Sequence, residues 1–316
     1  MLTRYLPYRW RTRLAIRRHN RAIRAILDTP PIVPADDGLV LFSMIGTAVL
    51  RPYLVAVKSL WRQLQRGRVV ILDDGTLTAD DKAVLAHHCG NPEIIPIASV
   101  RTGEFPQGGT WERLLTILDR RTSEYWLQLD SDTVTLGPIP EVEQAIAANR
   151  SFTLLGGSDA EIGALPLADI AARLYPQGPQ DDGHIQTRVE SRMGLMQGNP
   201  GWRYIRGCSG FAGFAAGNAG RSLAGAFLAE LKRQIGEQGA TIWGTEQITS
   251  SFLVANEPAP VLLPSARYLN YWGAPWNGDA GFVHFVGTHR YDHGCYAEQS
   301  RALIAALQTD RTRAET

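Results

Sequence analysis

Three apolar runs in the first half of the chain end the same way, and that shared ending restricts the fold more than any other feature. Leu39-Val40-Leu41-Phe42 stops at Ser43. Val69-Val70-Ile71-Leu72 stops at Asp73-Asp74-Gly75. Tyr125-Trp126-Leu127-Gln128-Leu129 stops at Asp130-Ser131-Asp132. Continuous apolar runs of this length read as strands buried on both faces. Helical stripes separate them: Leu50, Leu54, Val57, Trp61 and Leu64, then Trp111, Leu114, Leu115 and Leu118. Thr78, with Asp81 three residues on, marks another helix start. Ile94-Ile95-Pro96-Ile97 is a short strand whose proline suits an edge. This alternation predicts an α/β fold, a Rossmann-like and mostly parallel sheet with helices on both faces. Ligands on such sheets bind at the C-terminal strand ends, where Ser43, Asp73, Asp74, Asp130 and Asp132 all fall.

The second half is less regular. Phe152-Thr153-Leu154-Leu155 reads as a strand. Residues 176–202 lack a period and read as a long loop. Gly207 to Gly220 is rich in glycine and alanine, which predicts close backbone packing. Leu223, Phe227, Leu228, Leu231 and Ile235 form a helical stripe. A further helix starts at Thr245, read as its N-cap, with Glu246 and Gln247 at its mouth. Phe282 to Gly287 is a last strand with a glycine turn.

Charge is unevenly spread. Residues 1–27 hold Arg4, Arg9, Arg11, Arg13, Arg17, Arg18, Arg21 and Arg24 and no acid. The rest has 24 basic against 31 acidic residues, a net of −7. A basic arm on an acidic body excludes a nucleic-acid-binding body and gives the arm an anionic partner. Residues 9–27 fit a helix ended by Pro30, Pro31 and Pro34. Two readings stand open: it lies on an anionic membrane surface, or it packs Ile23, Ile26 and Leu27 on the chain's own core. Three cysteines, Cys89, Cys208 and Cys295, make no disulfide framework and suit a reducing compartment. The longest apolar stretch, Leu39 to Leu50, is too short to span a bilayer, and Asp36-Asp37 before it is the wrong flank for a signal peptide. The expectation is a cytoplasmic protein, with peripheral contact at the inner membrane surface through the arm.

Asp130-Ser131-Asp132 carries the chemistry. In extended chain, residues two apart point to one side, and two anions held so close repel unless a cation sits between them. A divalent metal is the natural occupant, although Asp-Ser-Asp also suits a turn. His284 alone in an apolar strand reads as a core histidine. His87-His88 and the pair His289 and His293 read as surface or loop residues.

At these motifs the chain resembles the metal-dependent nucleotide-sugar glycosyltransferases of the GT-A fold. Within them it is most similar to the retaining glycosyltransferase family 8, the glycogenin and bacterial galactosyltransferase group. Asp130-Ser131-Asp132 stands where that fold carries its DxD. Arg113, seventeen residues earlier, matches the spacing of the family's donor-contacting arginine. Thr245-Glu246-Gln247 resembles the acid-Gln pair beneath the donor sugar. His284-Phe285-Val286-Gly287-Thr288-His289-Arg290 resembles a His-xx-Gly-xx-Lys segment, with arginine in place of lysine. The usual Pro-Trp does not follow it, and Cys208-Ser209-Gly210-Phe211 replaces an Asn-containing segment.

The resemblance implies Asp130, Asp132 and His284 as ligands of Mn²⁺ or Mg²⁺, a set that leaves about three octahedral positions for phosphate oxygens and water. It implies Arg113, Asp130, Ser131, Gly287 and Arg290 on a nucleotide-diphosphate sugar, with Ser43, Asp73 and Asp74 added by their strand-end positions. Glu246 and Gln247 become the catalytic pair. The expected organisation is a basic arm (1–37), a nucleotide-sugar-binding half (38–148), an acceptor and catalytic half (149–308) of the same GT-A domain, and a tail (309–316). The expected activity is sugar transfer from a UDP-sugar to a glycan, lipid or protein, with retention of configuration. The rivals are a nucleotidyltransferase that makes such sugars, disfavoured because Ser43-Met44-Ile45-Gly46-Thr47 lacks a basic residue, and a non-catalytic sugar- or membrane-binding module.

Overall fold

The computed structural model describes residues 8–217, 220–274 and 279–314; Arg4 lies outside them. The first half runs α1 (Tyr8–Ala22), β1 (Leu39–Ile45), α2 (Leu50–Leu64), β2 (Arg68–Asp73), α3 (Ala79–Cys89), β3 (Glu93–Pro96), α4 (Trp111–Arg120), β4 (Tyr125–Leu129) and β5 (Thr133–Thr135). The chain continues through α5 (Pro140–Ala147), β6 (Phe152–Leu155), β7 (Leu165–Pro166), α6 (Leu167–Leu174), α7 (Ile185–Glu190), β8 (Arg203–Tyr204) and β9 (Gly207–Phe214). It closes with α8 (Ser222–Ala240), α9 (Thr245–Ala255), β10 (Val261–Leu263), β11 (Tyr268–Tyr271), β12 (Phe282–Phe285) and α10 (Cys295–Ala314).

Seven strands form the main sheet in the order β10-β6-β9-β4-β1-β2-β3. The pairs β4–β1, β1–β2, β2–β3 and β10–β6 are parallel; β9 runs antiparallel to both its neighbours. The sheet is therefore mostly parallel, with the apolar runs of β1, β2 and β4 at its centre. The proline-bearing β3 is its edge, where a missing amide donor costs no ladder bond. One core lies on each face. The first sets α2 and α10 against the sheet through residues such as Leu54, Leu60 and Ile304. The second sets α4, α8 and α9 against the other face through Trp111, Leu115, Phe227 and Phe252. Aromatic geometry also ties neighbouring strands: Trp126 of β4 meets Phe42 of β1 edge-on at 5.1 Å, an arrangement worth about 0.5–1.5 kcal/mol beyond its buried area. The small sheet β11-β12-β5 is fixed to β9 by Phe282 stacked on Phe211 at 4.1 Å.

Local signals behave as their chemistry predicts at several points. Thr78 and Asp81 form a reciprocal capping box at the start of α3. Other expectations change. The helix predicted over 9–27 stops at Ala22, and a short 3-10 turn over Arg24–Asp28 follows. In that turn Ile26 is buried, as is Ile23 before it, so the arm's C-terminal end does pack on the core. The loop predicted over 176–202 contains α7 and a 3-10 turn at Met193–Leu195; α7, six residues long, is too short to show a period. The glycine-rich segment is β9, whose eight residues are all buried. Thr245 is not an N-cap. That position is Gly244, at φ +103°, a conformation an L side chain resists. Thr245 Oγ1 instead donates to Ala240 O at 3.0 Å and accepts from Trp111 Nε1 at 3.2 Å. His88 is not a surface residue: it is 3% exposed and accepts from Lys58 Nζ at 2.9 Å. Helix α10 continues past residue 308 to Ala314.

Candidate active site

The turn between β4 and β5 carries Asp130, Ser131 and Asp132 from the main sheet to the small one. Strand β4 delivers Asp130, whose amide donates to Gly210 O of β9 at 2.9 Å. Strand β5 delivers Asp132, and its antiparallel pairing with β12 sets His284 opposite Thr133, the next residue. The Phe285 amide closes the turn by donating to Asp132 O at 2.8 Å. Three side chains remote in sequence thereby converge. His284 Nε2 stands 3.3 Å from Asp132 Oδ1 and 3.8 Å from Asp130 Oδ2. Among the described residues this is the one set of three His, Cys, Asp or Glu whose ligand atoms all lie within 4.8 Å of one another.

The orientation of the imidazole is over-determined. Asn270, the register partner of His284 across β11 and β12, donates its amide nitrogen to Leu155 O at 2.6 Å and Gly156 O at 3.2 Å. Carbonyls only accept, so Asn270 Oδ1 must face His284 Nδ1, 2.8 Å away. That oxygen also only accepts, so Nδ1 carries a proton, and Nε2 is the nitrogen turned to the two carboxylates. Gly210 lies under the ring: a Cβ there would come 2.6 Å from Nδ1 and 2.8 Å from Nε2.

Each carboxylate turns its other oxygen to an arginine. Arg113 Nη1 donates to Asp130 Oδ1 and Arg290 Nη2 to Asp132 Oδ2. Arg290 is braced by Nε to Phe285 O at 3.0 Å. Burial acts to raise the Asp132 pKa, but His284 and Arg290 hold it below the usual carboxylate range. Burial opposes charge on His284 too, yet Asp132 lifts its pKa well above the usual imidazole value. The result is a strong nitrogen base beside a carboxylate held in its charged form. Two hard oxygens and one imidazole nitrogen, their tautomer and charge fixed by neighbours, fit a divalent cation. Neighbouring ligands at about 2.1 Å from one cation stand about 3 Å apart, close to the separations found.

Glu246 joins the same network from the N-terminus of α9. Its carboxylate, 1% exposed, accepts from Thr110 Oγ1 at 2.7 Å and from Arg113 Nη2 at 3.3 Å. Ser209 Oγ lies 3.1 Å from the same Nη2. Burial raises the Glu246 pKa, with Arg113 and Thr110 pulling the other way. Thr110 sits at φ +74°, an uncommon conformation for a non-glycine residue, of the kind that gathers at functional sites. Gln247 is half-buried, and no hydrogen bond from its amide occurs among the described residues. Trp243, just before the Gly244 cap, is 66% exposed.

The residues expected at strand ends divide. Ser43 is not at an end: it lies within β1, in register with Ile71 of β2, is buried and donates to Leu129 O at 2.6 Å, bridging β1 to β4. Asp73 is buried, accepts from the amides of Gly75 and Leu77, and pairs with Lys82 at 2.9 Å. Asp74 is exposed and accepts from Thr76 Oγ1 at 2.6 Å. Ser131 O accepts from Tyr296 at 3.1 Å. Gly287 turns the chain at φ +48° with open space where a side chain would stand. Sequence reasoning missed Asn270, Thr110 and Ser209. A usable signal existed for Asn270, a lone amide inside the run Tyr268-Leu269-Asn270-Tyr271.

No protein-family model and no curated relative matches the chain. Solved structures do. An active-site mutant of LgtC shares the fold with a TM-score of 0.51 at 13% identity, over 84% of this chain and 95% of that one. The glycosyltransferase GlyE of Streptococcus pneumoniae gives 0.50 at 11% identity, over 86% of this chain and 63% of that one. Galactosyltransferase LgtC in complex with donor and acceptor sugar analogues gives 0.49 at 14% identity, over 85% and 96%. The chain therefore has the mixed α/β architecture of the GT-A glycosyltransferases.

Proposed function

We propose that the chain is a metal-dependent glycosyltransferase that takes a sugar from a nucleotide-diphosphate sugar, in the first instance a UDP-sugar, and passes it to a hydroxyl of a glycan, lipid or protein. The observation that carries this reading is the convergence of Asp130 Oδ2, Asp132 Oδ1 and His284 Nε2 beyond the C-terminal end of β4, in a fold shared with structures named as glycosyltransferases.

In this reading Asp130, Asp132 and His284 hold Mn²⁺ or Mg²⁺. The ion, when bound, supplies Lewis-acid stabilisation of the departing nucleoside diphosphate. Asn270 and Gly210 keep the His284 lone pair on that ion. Arg113 and Arg290 each hold one carboxylate, and their positive charge helps offset that of the diphosphate. Ser131 and Gly287 line the same approach. Asp74, the exposed member of its pair, takes the nucleoside, with Ser43 and Asp73 shaping the strands behind it. Glu246 holds Arg113 in place, and Gln247 faces the sugar, where its amide oxygen supports positive charge developing at the anomeric carbon with retention of configuration. Free Cys89, Cys208 and Cys295 suit a reducing compartment. No helix among the described residues is long and apolar enough to cross a membrane.

A thermal-shift screen of nucleotide sugars with Mn²⁺ and with EDTA tests the reading. A donor at a hundred times its dissociation constant stabilises the fold by about 2.7 kcal/mol, and the shift should require the metal. No shift with any nucleotide sugar, in either condition, would overturn it.

A further inference from the structure

Helix α1 has one docked face and one bare face. On the docked face His19 is buried, as is Ile23 just past the helix end, and the His19 ring stacks on Tyr296 at 4.0 Å and tilts against Tyr291 at 5.5 Å. The Tyr296 hydroxyl donates to Ser131 O, so the helix lies one aromatic ring behind the turn that carries Asp130 and Asp132. On the bare face Trp10, Arg17 and Arg21 are two and three helical turns apart and share one side, away from His19. Trp10 is 62% exposed. Arg13 and Arg18 flank that stripe, also exposed, as are Arg9, Arg11 and Arg24. None of these seven arginines forms an ion pair among the described residues, whereas many arginines of the body do, such as Arg66, Arg68, Arg192 and Arg221.

An unpaired cationic face with an exposed indole at its N-terminal end matches an anionic interface with an apolar layer beneath. The indole sits at headgroup level, where its ring is buried and its N–H stays wet. The guanidinium groups pair with lipid phosphates. A phosphate backbone would take the arginines but leave the exposed Trp10 indole in water. We propose that α1 is a membrane-docking helix: Trp10, Arg13, Arg17, Arg18 and Arg21 seat its outer face on anionic phospholipid, while His19 ties its inner face to the metal-site turn. The surface acts independently of which reaction the site performs, and it sets that site beside the bilayer.

Co-sedimentation of the full chain tests this, with vesicles of phosphatidylcholine alone or mixed equally with phosphatidylglycerol, at low and high salt. The chain should bind the anionic vesicles only, and release as salt rises. Each arginine near such a surface contributes about fivefold, so the combined Arg13→Gln, Arg17→Gln and Arg21→Gln variant should bind about a hundredfold more weakly at an unchanged melting temperature. The same three positions changed to lysine should retain binding, and Trp10→Ala should weaken it. Equal binding to both vesicle types, no binding to the anionic ones, or native binding by the glutamine variant would overturn the proposal. So would duplex DNA binding through the same arginines at a salt concentration where vesicles do not bind.

Discussion

Replacing Gly210 by alanine adds one methyl group and should disable the metal site. A Cβ at this position would lie 2.6 Å from His284 Nδ1 and 2.8 Å from Nε2, where ordinary contact begins at 3.4 Å. The backbone cannot yield, because Gly210 belongs to a central strand and its carbonyl accepts the Asp130 amide at 2.9 Å. The nearest ring atom, Cε1, would stand only 2.3 Å away, so the imidazole must retreat by about 1 Å, which interiors packed to crystal density do not absorb freely. Metal–ligand distances tolerate only about ±0.2 Å, so Nε2 would leave the position that Asp130 and Asp132 share with it. Affinity for Mn²⁺ should fall at least tenfold, the lower end of what disturbing a ligand's support costs. Overpacking should cost stability by about 1–3 kcal/mol as well. Gly213→Ala is the control: its Cβ would press on Tyr125 and Phe152, away from the metal ligands, and should lower stability without changing metal affinity. Calorimetric Mn²⁺ titrations and melting curves on both variants separate the effects. Native Mn²⁺ affinity in a folded Gly210→Ala protein would refute the role given to His284.

Three further outcomes are expected. Gln247→Ala should lower kcat for sugar transfer by about 10²-fold with donor KM little changed, the scale of losing one preorganised dipole; steady-state kinetics with equal loss in KM would place Gln247 on donor binding instead. Glu246→Gln removes the charge facing Arg113 and should raise donor KM, so a variant with native KM would place Glu246 outside donor binding. Acid should destabilise the fold between pH 6.5 and about 4, because burial first, and then Lys58 for His88 and Arg290 for His19, lower both histidines to about 4. A depressed histidine contributes stability that is complete above its unfolded pKa and lost as pH falls toward its folded one, up to about 3 kcal/mol for each. Melting temperatures across this window should fall, less steeply in His88→Gln; a flat profile would contradict the neutral assignment.

The sheet was legible because its central strands are continuous apolar runs, and β2 and β4 stop abruptly at acids; β1 runs two residues past the expected end at Ser43, to Ile45, because Ser43 stays paired in the ladder. Strand β9 was not, since Gly207, Gly210 and Gly213 carry no side chain to signal a strand; they signal only what approaches them. Helix α7 hid for a different reason, being too short for its stripe to repeat. Within the site, Asp130 and Asp132 announce themselves by spacing. The nearness of His284 depends on a β5–β12 pairing across distant sequence that periodicity cannot supply. Glu246 was legible as a residue at a helix mouth, but its contacts with Thr110 and Arg113 belong to tertiary packing. The unpaired arm arginines follow from composition, while the burial of His19 on Tyr296 does not.

The central claim is that Asp130, Asp132 and His284 together hold a divalent ion that binds a nucleoside diphosphate. Titrating UDP into the native chain and into Asp132→Ala by calorimetry, each with Mn²⁺ and with EDTA, tests it most directly. The account predicts binding by the native chain that needs Mn²⁺ and is lost in a still-folded Asp132→Ala, whose Arg290 and His284 have no carboxylate between them. Equal UDP affinity with Mn²⁺ and EDTA, or unchanged metal-dependent binding in the variant, would contradict it.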